Sequence, residues 1–285
     1  MNEAKTHHHH PSATRAAGGD LSELLDLDAE MTRDYWNEVM DWIEASGPDE
    51  VRRIVDLGSG TGAGTISLAE RFDRAEVFAI DASDQMLDGT SRKAAERGLA
   101  DRIKLIQADL DSTWPEIGRI DLTWASMSLH HLAHPEELIR RVYSATRPGG
   151  QIAIAEFIEP VRFLPDDLGF GVPGLEQRCV DAFRRERQRS LPNFGLQWGD
   201  RLGQAGFSAI EERVFTLTGG SEDSAVLARY AWLWLERVAS AAAPQLSDED
   251  LATLEELLAA EGPHSLQRRH DLQIRGSRVV VRATK

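Results

Sequence analysis

The stretch "IVDLGSGTGAGT", residues 54–65, sets Asp56 just ahead of Gly58, Gly60 and Gly62, which recur at every second position. Glycine backbone lets a ligand approach closely and accepts left-handed conformations that other residues avoid. Where a helix begins just beyond such a loop, its first free N–H groups and positive dipole end favour a carboxylate or another anion. Two more carboxylates, Asp81 and Asp109, close the apolar runs "AEVFAID" and "IKLIQAD". There they could accept hydrogen bonds from ligand hydroxyls or an amine. His130, His131 and His134 gather in "SLHHLAHPEE". An imidazole titrating near neutrality suits proton removal from a hydroxyl, but a loop-to-helix turn would also use such histidines to cap and pack. Adjacent histidines point apart and no fourth ligand is evident, so no metal is expected.

These residues need a scaffold that ends several strands at one edge. "RRIVDLG", "AEVFAID", "RIKLIQADL", "RIDLTWASM" and "QIAIAEF" read as strands, separated by the helix-length segments "GAGTISLAERF", "SDQMLDGTSRKAAERG" and "HPEELIRRVYSATRPGG". Ser83 is the expected cap of the second of these helices, Gly98 its stop, and Pro135 the first residue of the third. "SAIEERVFTLT" and the end of "DLQIRGSRVVVRATK" supply two further strands. The order predicts an α/β fold, a doubly wound, mostly parallel seven-stranded sheet with helical cap elements. Ahead of it, Leu21 to Trp42 carry apolar residues at helical spacing up to Gly47-Pro48. A long helical section is expected from about Glu222 to Ala260.

The loop alone leaves a dinucleotide open, because Ala63 can take the last place of G-x-G-x-x-G. A phosphate-binding P-loop is excluded, since no Gly-Lys-Ser/Thr follows. Taken together, the D-x-G-x-G-x-G loop, Asp81, Asp109, the "ASMSLHHL" segment and the "RPGG" turn resemble the class I S-adenosylmethionine-dependent methyltransferases, best over residues 50–157. The resemblance implies a Rossmann-like methyltransferase fold and S-adenosyl-L-methionine as cofactor. It implies that Gly58, Gly60 and Gly62 pass beneath the methionine part and ribose, and that Asp56 holds the loop or the cofactor's ammonium. Asp81 would take the ribose hydroxyls, Met86 would lie beside the adenine, Asp109 and Leu110 would frame the base, and Ser126 would approach the sulfonium. Tyr35 and Trp36 would cover the cofactor or belong to the core. In metal-independent O-methyltransferases a histidine near this place is a general base, which maps to His130. The implied organisation is a flexible tail at 1–20, a helical lid at 21–48, and a methyltransferase domain at 49–285 with cap insertions at about 158–196 and 219–265.

The acceptor is less legible. No Asp/Asn-Pro-Pro-aromatic follows the fourth strand, no Pro-Cys nucleophile is present, and the carboxylates of the magnesium-dependent catechol type are missing. Phe157, Phe163, Phe170, Phe183, Phe194, Trp198, Trp232 and Trp234 fall in the cap segments and suggest an apolar pocket, or ordinary packing. Arg184, Arg185, Arg187 and Arg189 could meet an anion or form a solvated face. The expected reaction is O-methylation of an apolar or aromatic small molecule, with RNA or protein methylation and cofactor binding without turnover as alternatives.

Composition narrows the partners. Across 285 residues, 47 acidic side chains against 32 Lys and Arg give a net charge of −15, which repels a phosphate backbone. Nucleic acid is therefore not expected. The single cysteine, Cys179, forbids an internal disulfide and fits a reducing compartment. No apolar run approaches the roughly 18 residues that span a bilayer, so no membrane partner is expected. The first residues lack the apolar core of a secretory signal, and a cytoplasmic location is expected. The histidines at 7–10 are natural or introduced, and the oligomeric state is open, a homodimer included.

Overall fold

A computed structural model describes residues 18–48, 50–219 and 224–285. The histidines at 7–10 and most of the expected tail lie outside these residues. Two helices open the described chain, α1 (Gly18–Met31) and α2 (Arg33–Glu44). Tyr35, Trp36, Val39, Met40 and Ile43 recur at helical spacing on α2, and all are buried. The alternating section follows in order: β1 (Arg53–Leu57), α3 (Ala63–Arg71), β2 (Glu76–Asp81), α4 (Asp84–Glu96), β3 (Ile103–Gln107), β4 (Ile120–Ser126), α5 (Pro135–Ala145) and β5 (Thr146–Arg162). Then come α6 (Leu175–Ser190), α7 (Trp198–Ala205), β6 (Ser208–Gly219), α8 (Ser224–Ala242), α9 (Asp248–Leu258) and β7 (Ile274–Thr284).

The seven strands form one sheet in the order β3-β2-β1-β4-β5-β7-β6. The first five pair in parallel, and β7 runs antiparallel between β5 and β6. The direction of winding reverses between β1 and β4, so the crevice beyond their carboxyl ends is where such a sheet binds ligands. Side chains alternate across the sheet. Ile54 joins the layer containing α2, α3, α6 and α8, while Val55 and Leu57 join the layer containing α5 and α7.

Local signals act as their chemistry requires. Ser83 Oγ accepts from Met86 N at the start of α4, and Pro135 occupies the first turn of α5. Two elements differ from expectation. β5 runs on to Arg162, because two irregularities after Phe157 let it keep pairing with β7. The long helical section is broken: α8 ends before Ala243-Pro244-Gln245, and α9 starts at a new cap where Ser247 Oγ accepts from Asp250 N. Proline has no N–H to continue a helix.

Candidate active site

The glycine loop turns sharply off β1, with Gly58 N and Ser59 N both donating to Ile80 O of β2 at 2.8 and 2.9 Å. Gly58, Gly60 and Gly62 all have positive φ (69°, 54° and 88°). Their surroundings differ. A Cβ on Gly58 would sit 2.4 Å from Ser128 Cβ, and one on Gly62 2.7 Å from Thr90. On Gly60 it would meet only Leu25 Cδ1, at 3.4 Å. Protein packing therefore demands two of the glycines, and among the three only Gly60 has room for a Cβ.

Asp81 fixes that open residue. One carboxylate oxygen accepts from Gly60 N at 2.9 Å and the other from Ser83 N at 2.9 Å. Behind the loop, Thr90 Oγ1 donates to Gly60 O and Lys93 Nζ to Thr61 O. Ser59 Oγ and Thr61 Oγ1 are buried without a hydrogen-bond partner. Such buried polar atoms carry a cost until something pairs with them. Asp56 is buried under α3, accepting from Thr65 Oγ1 at 2.6 Å. Burial pushes its carboxyl up to about 7, more than the Thr65 hydrogen bond lowers it, and the nearby Asp81 charge adds to the rise.

The loops after β3 and β4 are tied together. Asp109 is exposed and accepts from Asp111 N at 3.0 Å, a local turn, while Leu110 beside it is buried. Asp111 in turn accepts from Ala133 N and His134 N. Ser126 ends β4, and Met127 after it has φ 53°, a left-handed conformation that is strained for a side chain with a Cβ. Its N–H donates to Ala155 O, and Ser128 Oγ donates to Leu57 O, so neighbouring strands enforce the bend.

That bend delivers His130 into the interior. His130 Nδ1 lies 2.7 Å from Glu156 Oε2, and both side chains are buried. If Glu156 is ionised it accepts the Nδ1 proton and leaves Nε2 as the basic nitrogen. Phe194 stands edge-on to the His130 ring at 5.6 Å, and His131 is tilted against it at 4.3 Å. Sequence reasoning missed Glu156. Its signal was a carboxylate inside the apolar strand "QIAIAEF", where an unpaired charge would be costly.

The amino-terminal helices divide the task of covering the site. α1 lies on the glycine loop, with Leu25 against Gly60, Ser22 Oγ 3.8 Å from Met86 Sδ and Asp26 paired to Lys93. α2 packs deeper. Trp36 meets Trp124 of β4 at 5.9 Å and Tyr35 meets Phe215 of β6 at 6.0 Å. The Tyr35 hydroxyl is buried without a partner, and burial raises it to about 12. Asp28, at the end of α1, takes both oxygens to Arg278 of β7 at 2.6 and 2.8 Å and accepts from the Tyr230 hydroxyl at 2.5 Å. Arg278 is 3% exposed and lies over the Tyr35 ring. No feature of the sequence marked this ionic knot.

Among the described residues, no group of three or more His, Cys, Asp or Glu converges as a metal site. No described helix is long and apolar enough to cross a membrane. A separate groove of about 460 Å³ runs along α8 and α9, lined by Ala228, Trp232 and Leu258 among others, and shares no residue with the glycine loop.

Comparison with known proteins bears on this arrangement. Residues 54–150 match a family model described as "Methyltransferase domain". A ubiquinone/menaquinone biosynthesis C-methyltransferase of Pseudomonas putida is 31% identical over 127 residues, 43% of this chain and 48% of that protein. A trans-aconitate 2-methyltransferase of Paracidovorax citrulli is 32% identical over 182 residues, 64% of this chain and 59% of that protein. The chain thus spans about half to three fifths of the length of these curated relatives. A Haemonchus contortus phosphoethanolamine N-methyltransferase 2, solved with S-adenosyl-L-methionine, shares the fold with a TM-score of 0.52 at 19% identity, covering 88% of this chain and 52% of that one. Residues 54–150 are thus similar to a methyltransferase domain, and the seven-stranded sheet is of the fold seen in that N-methyltransferase.

Proposed function

We propose that this protein transfers the methyl group of S-adenosylmethionine to an oxygen of a small, largely aromatic or apolar acceptor, with His130 as general base and Glu156 as its positioning partner. The buried His130–Glu156 pair at 2.7 Å, which joins the turn after β4 to β5, carries this reading. The relatives' names cover methylation at carbon and methylation of trans-aconitate, both small-molecule reactions. A base is required where the acceptor must lose a proton, as a hydroxyl does.

The residues of the loop suit the cofactor. Ser59 and Thr61 offer unpaired buried hydroxyls, Gly60 leaves room for close approach, and Asp56 is a buried carboxyl that an ammonium would ionise. Asp81 retains lone pairs for ribose hydroxyls beyond the two backbone N–H groups it already accepts. Met86, Asp109, Leu110 and Ser126 would border the remainder, and Tyr35 would present its unpaired hydroxyl from the side of α2. The cofactor supplies an electrophilic methyl on a sulfonium, a good leaving group, so the chain's task is mainly positioning and water exclusion. Closure of α1 over Gly60 serves the second. His130 Nε2 would accept the acceptor's proton as its oxygen bonds the methyl carbon, and Glu156 would stabilise the imidazolium.

The test is transfer of labelled methyl from S-adenosylmethionine to a pool of small hydroxylated compounds, in parallel with RNA and protein pools. Label in a small hydroxyl compound, lost in His130→Ala, is the expected result. Label only in RNA or protein, or cofactor binding with no transfer to any pool, would overturn the proposal.

A further inference from the structure

A short bend joins the end of β4 at Ser126 to His130, and it is tied to a different strand on each side. On one side Met127 N donates to Ala155 O at 2.9 Å, the residue before Glu156 on β5. On the other, Ser128 Oγ donates to Leu57 O at 2.7 Å, the last residue of β1. Ser128 Cβ also fills the space that a Cβ on Gly58 would need, so it packs directly on the first glycine of the loop. From Ser128 the chain winds into a single tight turn, Leu129–His131, closed by His131 N donating to Ser128 O at 3.1 Å. Ser128 thus touches the glycine loop and also starts the turn that carries His130.

This link has little slack. Met127 is held at φ 53°, a strained conformation that persists only where the surroundings enforce it. A turn of three residues cannot absorb a shift of the residue before it without turning the side chains that follow. Close-packed interiors pass such shifts on rather than damp them. Glu156 meanwhile stays on β5, where Ala155 is in register with Ser126 of β4 and Glu156 with Val279 of β7. Movement of Leu57 and Gly58 is therefore felt as movement of His130 against Glu156. Their contact of 2.7 Å has the length of a charge-assisted hydrogen bond, which is sensitive to geometry. A second hold on the turn comes from elsewhere. Asn193 Nδ2 donates to Leu132 O at 2.6 Å, from the segment after α6 rather than from the glycine loop.

We infer that Ser128 is a positioning residue that couples cofactor binding to the His130–Glu156 pair, so that filling the glycine loop steadies the base with no acceptor present. This rests on the reading of His130 as the general base. A ligand seated on the loop restrains Leu57 and Gly58, Ser128 passes the restraint to the turn, and the hydrogen bond from His130 Nδ1 to Glu156 opens less often.

The experiment follows the His130 Nδ1 proton by NMR in the full chain made with isotope-labelled histidine, with and without saturating S-adenosylhomocysteine. The signal is assigned by its loss in His130→Gln. In the wild type the ligand should slow exchange of this proton with water about fivefold or more, because exchange reports local opening. Ser128→Ala should bind S-adenosylhomocysteine within about threefold of the wild-type affinity yet show less than twofold slowing. Met127→Gly keeps both ties but relaxes the bend; it should fold with Tm no lower than the wild type and likewise lose most of the slowing. Asn193→Ala should speed exchange with and without ligand alike, and so keep the wild-type ratio. The inference is overturned if the loaded wild type shows no such proton or no slowing, if Ser128→Ala keeps the wild-type ratio, or if Asn193→Ala loses it as fully. Should Ser128→Ala fail to fold, Met127→Gly decides, and a wild-type ratio there overturns the inference. Failure of the wild-type chain to bind S-adenosylhomocysteine would instead strike the methyl-transfer reading, and a normal transfer rate in His130→Ala would strike the base assignment while leaving the coupling measurable.

Discussion

The two halves of the candidate site are built in different ways. The cofactor side is made of backbone, with glycines at positive φ, two strand-end carboxylates and N–H groups held by neighbouring strands, all between β1 and β4. The acceptor side is made of side-chain pairs from distant segments. His130 meets Glu156 across 26 residues, and the knot that holds α1 down likewise joins Asp28 to Arg278 across 250. A backbone site tolerates little variation and announces itself by spacing. A side-chain site can be rebuilt for each substrate on one scaffold, which is how a fold serves many reactions.

The contrast can be broken most directly at His130. His130→Ala should reduce methyl-transfer rate by roughly 10²–10⁴ with little change in cofactor affinity. Glu156→Gln should lower kcat by less and leave KM nearly unchanged, since it only orients the base. A near-normal rate in His130→Ala would leave the histidine structural. Next in size, Asp28→Ala strands Arg278 as a buried charge and should cost about 3 kcal/mol, read by denaturant unfolding; a cost below about 1 kcal/mol would mean the knot does not hold α1 down.

The glycines sharpen the comparison further. Gly58→Ala drives a Cβ into Ser128 and should destabilise the fold by about 2–4 kcal/mol, whereas Gly60→Ala adds only backbone strain of about 1 kcal/mol. Gly60→Ala should nevertheless lose more cofactor affinity per unit of lost stability. Equal behaviour of the two variants would remove the distinction between packing and ligand glycines. Asp81→Ala should weaken cofactor binding by about 1–3 kcal/mol in calorimetry, the range for unpaired hydroxyl partners.

The smallest effect concerns pH. The folded Asp56 carboxyl sits at about 7, far above its unfolded value, so the neutral form dominates in the empty site below neutrality. Its raised value favours the fold at low pH, and that contribution is lost as pH rises through about 7. An ammonium prefers the ionised form, so binding below pH 7 releases a proton. S-adenosylhomocysteine affinity should rise from pH 5.5 to 7 and level off above, and Asp56→Asn should flatten the profile. A profile that falls over this range would contradict the assignment.

Much of the cofactor side was legible because its signals are local. Ser83 and Pro135 act within a few residues of where they stand, and Gly58 to Gly62 and Asp81 show themselves by their place at the ends of adjacent strands. The fold class and the succession of strands and helices along the chain followed from the same locality, while the order of strands in the sheet came from the structure. Asp28 gave no such signal and Glu156 only that of a carboxylate in an apolar strand, because a charged residue shows its role only when a fold brings its partner. The arginine run on α6 is the clearest case. Its four members are alike in sequence, and only the fold gives Arg184, Arg185 and Arg189 a hydrogen-bond partner while Arg187 lies over Phe183. Tyr35 and Trp36 also needed the fold, which put α2 against Trp124 and Phe215 and gave the surface over Gly60 to α1.

The measurement that reaches the centre of this account is calorimetric titration of the full chain with S-adenosylhomocysteine beside NAD. Saturable binding of S-adenosylhomocysteine with no heat from NAD is the result predicted by Asp56, the open face of Gly60 and Asp81. Binding of NAD alone, or of neither ligand, would contradict it.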